Sequence, residues 1–316
     1  MKFKIPLLIL VIALTAGCVV PLPTPTPTGA ALGKGLEITS FTVEPSSVFS
    51  GGTVRVIMEV ENQGGATAFN ESSLAYLTGS NINLGDTSGF YWYSKSGESE
   101  VKYFNKDMRP ADVVRGIPAD TKRFSWVLTA PNVTAGQTRE DIFIGRIYHD
   151  YTTGVNGNVW IYTEAEADAA RASGRALNKA TFTSTSGPVL LDVSVSPDPV
   201  ILYQGENTFS LYIKISNAAS GTIYRNNTLD YAHGNVSLTA DQLNKVFIEI
   251  QTSPDLDFSS AECTGEQELV AGRTTTIVCD FTVKTPPATF KSYPVNVIAH
   301  YGYFTERTAT VTVQGR

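Results

Sequence analysis

The sequence is poor in the groups that catalyse reactions. Its 316 residues include 3 His and 3 Cys, and charged residues make up only 17%. General acid–base and thiolate chemistry therefore have little material to use. No Gly-x-Ser-x-Gly elbow, His-Glu-x-x-His pair or phosphate-cradling glycine loop occurs, which removes the usual hydrolase, metalloprotease and nucleotide signatures. A formal charge of −6 is the wrong sign for a nucleic-acid footprint. The N-terminal apolar stretch, Ile5 to Ala16, falls short of the ~20 residues that span a bilayer.

That stretch has the form of an export signal. Lys2 and Lys4 supply a positive n-region, and the apolar segment closes on Leu14-Thr15-Ala16-Gly17-Cys18, small residues leading into a cysteine. The order resembles the lipobox of prokaryotic lipoproteins. The resemblance implies cleavage after residue 17, a lipid on Cys18 and a place on the extracytoplasmic face of the cell membrane. Pro21 to Thr28, PLPTPTPT, then reads as an extended, semi-rigid stalk of about 3 Å per residue. With Cys18 assigned to lipid, Cys263 and Cys279 leave an even remainder, which in an exported chain reads as a disulfide. The alternative, a pair of metal ligands, finds no histidine or further cysteine nearby. Asn-x-Ser/Thr sequons at Asn70, Asn132, Asn226 and Asn235 are candidate glycosylation sites.

The body of the chain is written twice. VEPSSVFSGGTVRVIMEVEN, Val43 to Asn62, returns as VSPDPVILYQGENTFSLYIKISN, Val195 to Asn217. Each copy has a Val-x-Pro segment, a glycine-containing turn, an alternating strand and a terminal Asn. Val54, Val56, Met58 and Val60 share one face of the first strand; Phe209, Leu211, Ile213 and Ile215 share one face of the second. Such period-2 alternation marks half-buried antiparallel strands. Further on, Phe124 to Pro131 matches Cys279 to Pro286, with Phe124 standing where Cys279 stands. Ile147-Tyr-His149 matches Ile298-Ala-His300, each followed by a turn-rich stretch and a last strand. Val159 to Tyr162 is expected to close the first unit and Ala309 to Val313 the second.

Val-x-Pro, the alternating strand and its Val60-Glu-Asn62-Gln-Gly64 close resemble CARDB and related immunoglobulin-like domains of bacterial and archaeal surface proteins. That resemblance implies a Greek-key sandwich at a cell surface. The expected architecture is all-β, two tandem immunoglobulin-like antiparallel β-sandwiches with a short helix near the junction. The expected organisation is a signal peptide, 1–17; a lipidated cysteine and stalk, 18–35; a first sandwich with an insertion and the helix, 36–187; and a second sandwich with the disulfide, 188–316.

Two segments depart from the repeat. Residues 79–110, rich in Gly, Ser, Asn and Tyr, contain Phe90-Tyr91-Trp92-Tyr93. Tyr91, Trp92 and Tyr93 are the candidate binding residues, because aromatic faces on a sandwich-end loop anchor sugars and protein partners; the alternative is that part of the run packs beneath the insertion. Residues 164–178 are Ala-rich and read as a surface helix, with Glu164, Glu166 and Asp168 suited to its N-terminus. His149 and Asp150 are neighbours on a strand and so face opposite ways, which denies them a joint acid–base role. Asp255, Asp257 and Glu262 lack the spaced oxygens and central glycine of a calcium loop.

The function expected is that of an exported, lipid-anchored surface protein with a non-catalytic role in adhesion or envelope scaffolding. It would use no cofactor and no metal, bind the membrane through its lipid, meet a surface protein or glycan, and leave nucleic acid alone. The competing expectation is a carbohydrate- or protein-binding accessory module that uses the insertion 79–110.

Overall fold

A computed structural model describes residues 33–316, without the side chains of Ser260 and Glu262. The signal segment, Cys18 and the Pro/Thr stalk lie outside the described residues. The first half forms β1 (Leu36–Glu44), β2 (Ser47–Phe49), β3 (Thr53–Asn62), β4 (Ser73–Gly79), β5 (Val101–Tyr103), β6 (Thr121–Thr129), β7 (Thr138–Thr163), α1 (Glu164–Ala172) and β8 (Thr181–Ser184). The second forms β9 (Val189–Ser196), β10 (Val200–Leu202), β11 (Thr208–Asn217), β12 (Thr222–Tyr224), β13 (Lys245–Thr252), β14 (Leu256–Phe258), the single-turn α2 (Ser260–Cys263), β15 (Gly265–Glu268), β16 (Thr274–Val283) and β17 (Phe290–Gln314).

The fold is all-β, two immunoglobulin-like antiparallel sandwiches. The alternating residues of β3 and β11 named above are all buried. The two strands hold equivalent places, β3 between β1 and β6 and β11 between β9 and β16. Their terminal asparagines also do the same work. Asn62 Nδ2 donates to the Ala66 carbonyl at 2.9 Å, and Asn217 Nδ2 to the Gly221 carbonyl at 3.0 Å. Each thereby ties down the turn that leaves its strand.

Each sandwich has its own small sheet, β1-β3-β6 on the first core and β9-β11-β16-β14 on the second. The sheet behind them is shared. β7 and β17 pair antiparallel from Thr138↔Gln314 to Tyr162↔Phe290 with no shift of register, and a ten-stranded sheet is built on that ribbon. At 3.4 Å per residue the ribbon is about 80 Å long, where most strands have ~3–10 residues.

The alternation never slips along it. Phe143, Ile147, His149, Tyr151, Val155, Val159 and Ile161 of β7 are buried, and so are Tyr293, Val295, Val297, Tyr301, Tyr303, Val311 and Val313 of β17. The first half of β7 therefore seals the first core and its second half the second core. β17 does the reverse. Val159 and Ile161 thus close the second core and Val311 and Val313 the first, opposite to expectation.

The stretch read as a turn, residues 152–158, is strand. Gly157 in it makes room rather than reverses the chain, as Gly145 does earlier in β7. A Cβ on Gly157 would overlap the Phe182 ring, and one on Gly145 would fall 2.5 Å from Met58 Cε. Close approach is a common reason for glycine inside a strand.

The histidine match also shifts by one. The Tyr151 hydroxyl accepts from the Ala66 amide at 3.1 Å, and the Tyr303 hydroxyl from the Gly221 amide at 2.7 Å. Tyr151 and Tyr303 are therefore equivalent, which makes Tyr301, not His300, the counterpart of His149. On a strand a shift of one residue exchanges the faces. His149 points into the waist between the cores and His300 points outward.

Helix α1 begins as expected, with the Thr163 hydroxyl capping the Glu166 amide, and ends at Ala172 rather than near residue 178. Gly174, at φ +68°, turns the chain away. In chain order the helix lies at the junction of the two halves. In space it sits at the far end of the second sandwich, next to the Leu202↔Thr163 pairing of β10 with β7.

Candidate functional site

The outer face of the shared sheet, away from both cores, carries the built-up surface. In the second half, residues 225–243 are inserted between β12 and β13; in the first, only the short turn Asn70–Ser72 precedes β4. This inserted segment acts as a lid that crosses the waist onto the other half. Leu229 packs with Leu74, Tyr148 and Tyr224 in a third apolar cluster, against which Tyr76, Tyr231, Val236 and Phe304 also rest. Apolar burial alone would let the lid slide, and a polar chain fixes it. The Tyr224 and Tyr231 hydroxyls lie 2.6 Å apart, and Tyr231 donates to Asp150 Oδ1 at 3.0 Å. Burial pushes the Asp150 carboxyl up to about 6, against the pull of the Tyr231 hydroxyl and the Asn227 amide.

Where the lid meets the insertion of the first half, a cleft of about 620 Å³ opens, with Tyr76, Glu100, Tyr103, Arg146, His233 and Asn235 in its lining. Arg146 is held over the Phe304 ring at 5.5 Å, and its Nε donates to Glu306 Oε2 at 2.9 Å. At the lid tip His233 Nδ1 lies 2.7 Å from Asp230 Oδ2, a bond that holds the Asp230 carboxyl below its usual range. The cleft thus offers two phenol rings, a fixed guanidinium, a carboxylate and an amide. Such a set suits recognition of a polar ligand with an apolar face.

The residues singled out in the sequence are dispersed. Trp92 is 0% exposed and belongs to the first core, edge-on to Phe143 at 5.1 Å, with Nε1 donating to Asp141 Oδ2 at 2.8 Å. It cannot stack on a ligand, which corrects its assignment as a binding residue. Backbone pairing of Tyr93 with Thr129 stitches this part of the insertion to β6 and turns Trp92 inward. Phe90 and Tyr91 remain exposed and Tyr93 half-buried.

Cys263 and Cys279 are both buried in the second core, where α2 carries the first against β16, which carries the second. Asn70, Asn132 and Asn235 are exposed and Asn226 is half-buried. His149 and Asp150 do face opposite ways, and complete burial drives the His149 imidazole down to about 3. Asp255 pairs with Lys291 at 2.7 Å and Asp257 with Lys284 at 3.4 Å. Among the described residues no group of three metal-ligating side chains forms.

Tyr231, Tyr103 and Arg146 were not found by sequence reasoning, and Asp150 was weighed there only as a partner for His149. One signal did point to Tyr231. Aligning the two copies leaves residues 225–243 unmatched, and an unmatched segment on a repeated scaffold is a place to look for function.

No protein-family model matches the chain, and no curated protein matches it. Among solved structures, a mutant alpha-2-macroglobulin of Salmonella aligns with 90% of this chain and 16% of its own, at TM-score 0.22 and 8% identity. The D0–D1 domain of intimin aligns over 87% of this chain and 95% of its own, at TM-score 0.19 and 8% identity. The adhesin InvE of Yersinia pseudotuberculosis aligns over 89% and 60%, at TM-score 0.19 and 10% identity. The chain spans about a sixth of the alpha-2-macroglobulin. TM-scores of this size relate the chain as a whole to none of them.

Proposed function

We propose that the protein is exported, held at the outer face of the cell membrane by a lipid on Cys18, and serves there as a non-catalytic adhesion or envelope-scaffolding element. The observation that carries this reading is the uninterrupted β7–β17 ribbon. Two domains joined by a linker move independently. Here paired strands cross the waist, so the two sandwiches form one stiff body about 80 Å long. A stiff body on a Pro/Thr stalk holds a recognition surface at a set distance from the membrane. The lid-and-insertion cleft is that surface. A bridge between Cys263 and Cys279, in the core of the second half, suits an oxidising compartment.

A carbohydrate- or protein-binding accessory role is the second reading. It is favoured by the contribution of Glu100 and Tyr103, from the insertion 79–110, to the cleft wall.

Three experiments test the proposal. Cys18→Ser should release the protein from membranes, and continued retention would reject the lipid anchor. Non-reducing peptide mapping should recover residues 263 and 279 in one linked pair, and two separate thiols would refute the bridge. The soluble head should bind isolated envelopes, and Tyr103→Ala with Arg146→Ala should weaken that binding at least about tenfold if the cleft is the site. Unchanged binding would move the site elsewhere.

A further inference from the structure

The lid covers one half and leaves its counterpart bare. Leu74 on β4 and Phe247 on β13 hold equivalent places, Leu74 opposite Tyr148 of β7 and Phe247 opposite His300 of β17. Leu74 is 0% exposed beneath the lid, whereas Phe247 is 49% exposed. Around Phe247 lies a cleft of about 510 Å³, lined also by Arg225, Asn226, Lys245, Glu266 and His300. Its charges are already matched. Arg225 donates to both Glu266 oxygens, at 2.5 and 2.9 Å. Lys245 Nζ lies 3.5 Å from the same carboxylate, at Glu266 Oε1. The four charged side chains that line the cleft, Arg225 and Lys245 against Glu249 and Glu266, sum to zero, so it suits a neutral occupant that has an apolar face for the ring and hydroxyls for the rim. A sugar has both.

Asn226 borders this cleft and opens the sequon Asn226-Asn227-Thr228. We propose that Asn226 carries an N-linked glycan whose first sugars lie in the cleft with one sugar face on Phe247, covering on the second half what the lid covers on the first. The proposal rests on the export reading, because the transfer takes place outside the cytoplasm. In that transfer Asn226 Nδ2 bonds to the anomeric carbon of an oligosaccharide carried on a lipid phosphate. The bond from that carbon to the phosphate oxygen breaks, the lipid phosphate leaves with the electron pair, and one amide proton is released.

The test uses full-length protein purified from the envelope of the cells that make it. Mass spectrometry of the peptide containing Asn226 should show added mass in whole sugar units, absent in Asn226→Gln. Exoglycosidase digestion of the native protein then tests the cradle. Trimming at Asn226 should become about tenfold faster in Phe247→Ser, the scale of one lost ring–sugar contact. Phe247→Tyr should restore the protection. An unmodified Asn226 on protein that has reached the envelope overturns the proposal and leaves the export reading standing. Protein that never leaves the cytoplasm overturns both. A sugar at Asn226 that is trimmed equally fast with and without Phe247 overturns the cradle.

Discussion

At the waist the two halves meet with the same backbone and different chemistry. Tyr301, from the second half, uses its hydroxyl fully: it accepts from the Val189 amide at 3.1 Å and shares a bond with Thr153 Oγ1 at 2.7 Å. His149, its counterpart, is as deeply buried, yet neither ring nitrogen has a hydrogen-bond partner among the described residues. Room for the imidazole comes from Gly35, where a Cβ would lie 2.8 Å from His149 Nε2; the second half has Pro188 at the corresponding point. A buried polar atom without a partner costs about 1–3 kcal/mol. The first half tolerates this because the ribbon's backbone pairs are set by the whole length of β7 and β17, and one side chain cannot shift them. The outer face shows the converse, with the lid grown on the second half resting on the first. The halves are a repeat in plan and a single unit in energy.

The strongest way to break the comparison is to separate its terms. Expressed alone, residues 33–187 and 188–316 should each fail to give a cooperative melt. The first loses Val311 and Val313, and the second loses Val155, Val159 and Ile161, each worth about 1.5–3 kcal/mol on burial. Such losses, about 3–6 kcal/mol for the first fragment and about 4.5–9 kcal/mol for the second, are of the size of a typical stability of ~5–15 kcal/mol. A sharp thermal transition in either fragment would defeat the account of a shared sheet.

Next in size is the contrast within the aromatic run. Trp92→Ala should cost about 3–5 kcal/mol in a urea melt, the range for a large buried ring. Phe90→Ala, at 75% exposure, should stay within about 0.5 kcal/mol.

Acid titration sharpens the comparison of the two sides of β7. The folded value of His149, about 3, lies below its unfolded value near 6.5, so its contribution is present above pH 6.5 and lost as pH falls toward 3. Asp150 runs the other way. Its folded value, about 6, lies above the unfolded 3.8, so its contribution is present below pH 4 and lost as pH rises through 6. The shifts amount to about 5 kcal/mol for His149 and about 3 kcal/mol for Asp150, and between pH 6 and 4 they oppose one another. His149→Phe should therefore gain stability on acidification across that window, and Asp150→Asn should lose it. Two variants with the same slope would mean that the waist and lid residues are not the titrating groups.

The smallest effect tests the lid alone. Tyr231→Phe removes the hydroxyl between Tyr224 and Asp150, and should cost about 1–2 kcal/mol. Faster amide exchange should be confined to residues 225–243 and the strand residues beneath them.

Much of the fold was legible because strand burial has a period that residues display. Val54 to Val60 and Phe209 to Ile215 announce their faces, and the Ala-rich run from Glu164 announces α1. The errors share one cause, the reading of local composition where packing decides. Residues 152–158, TTGVNGN, look like a turn; Gly157 is there because the Phe182 ring needs the space. His149 and His300 align by letter and fail by face, since the slip of one residue shows only in hydrogen bonds to distant amides. Trp92 belongs to a polar, loop-like segment, and the bond to Asp141, 49 residues away, pulls it inside.

The residue order by itself determined that this chain builds a duplicated strand-rich sandwich, because alternation and turn chemistry act over a few neighbours and need no further information. Only the tertiary structure decided that the last long strand of each copy serves both cores, and that the lid of one half rests on the other. Those outcomes depend on contacts between residues more than a hundred positions apart, such as Ile147 with Thr305, where any pattern in the sequence is compatible with more than one partner.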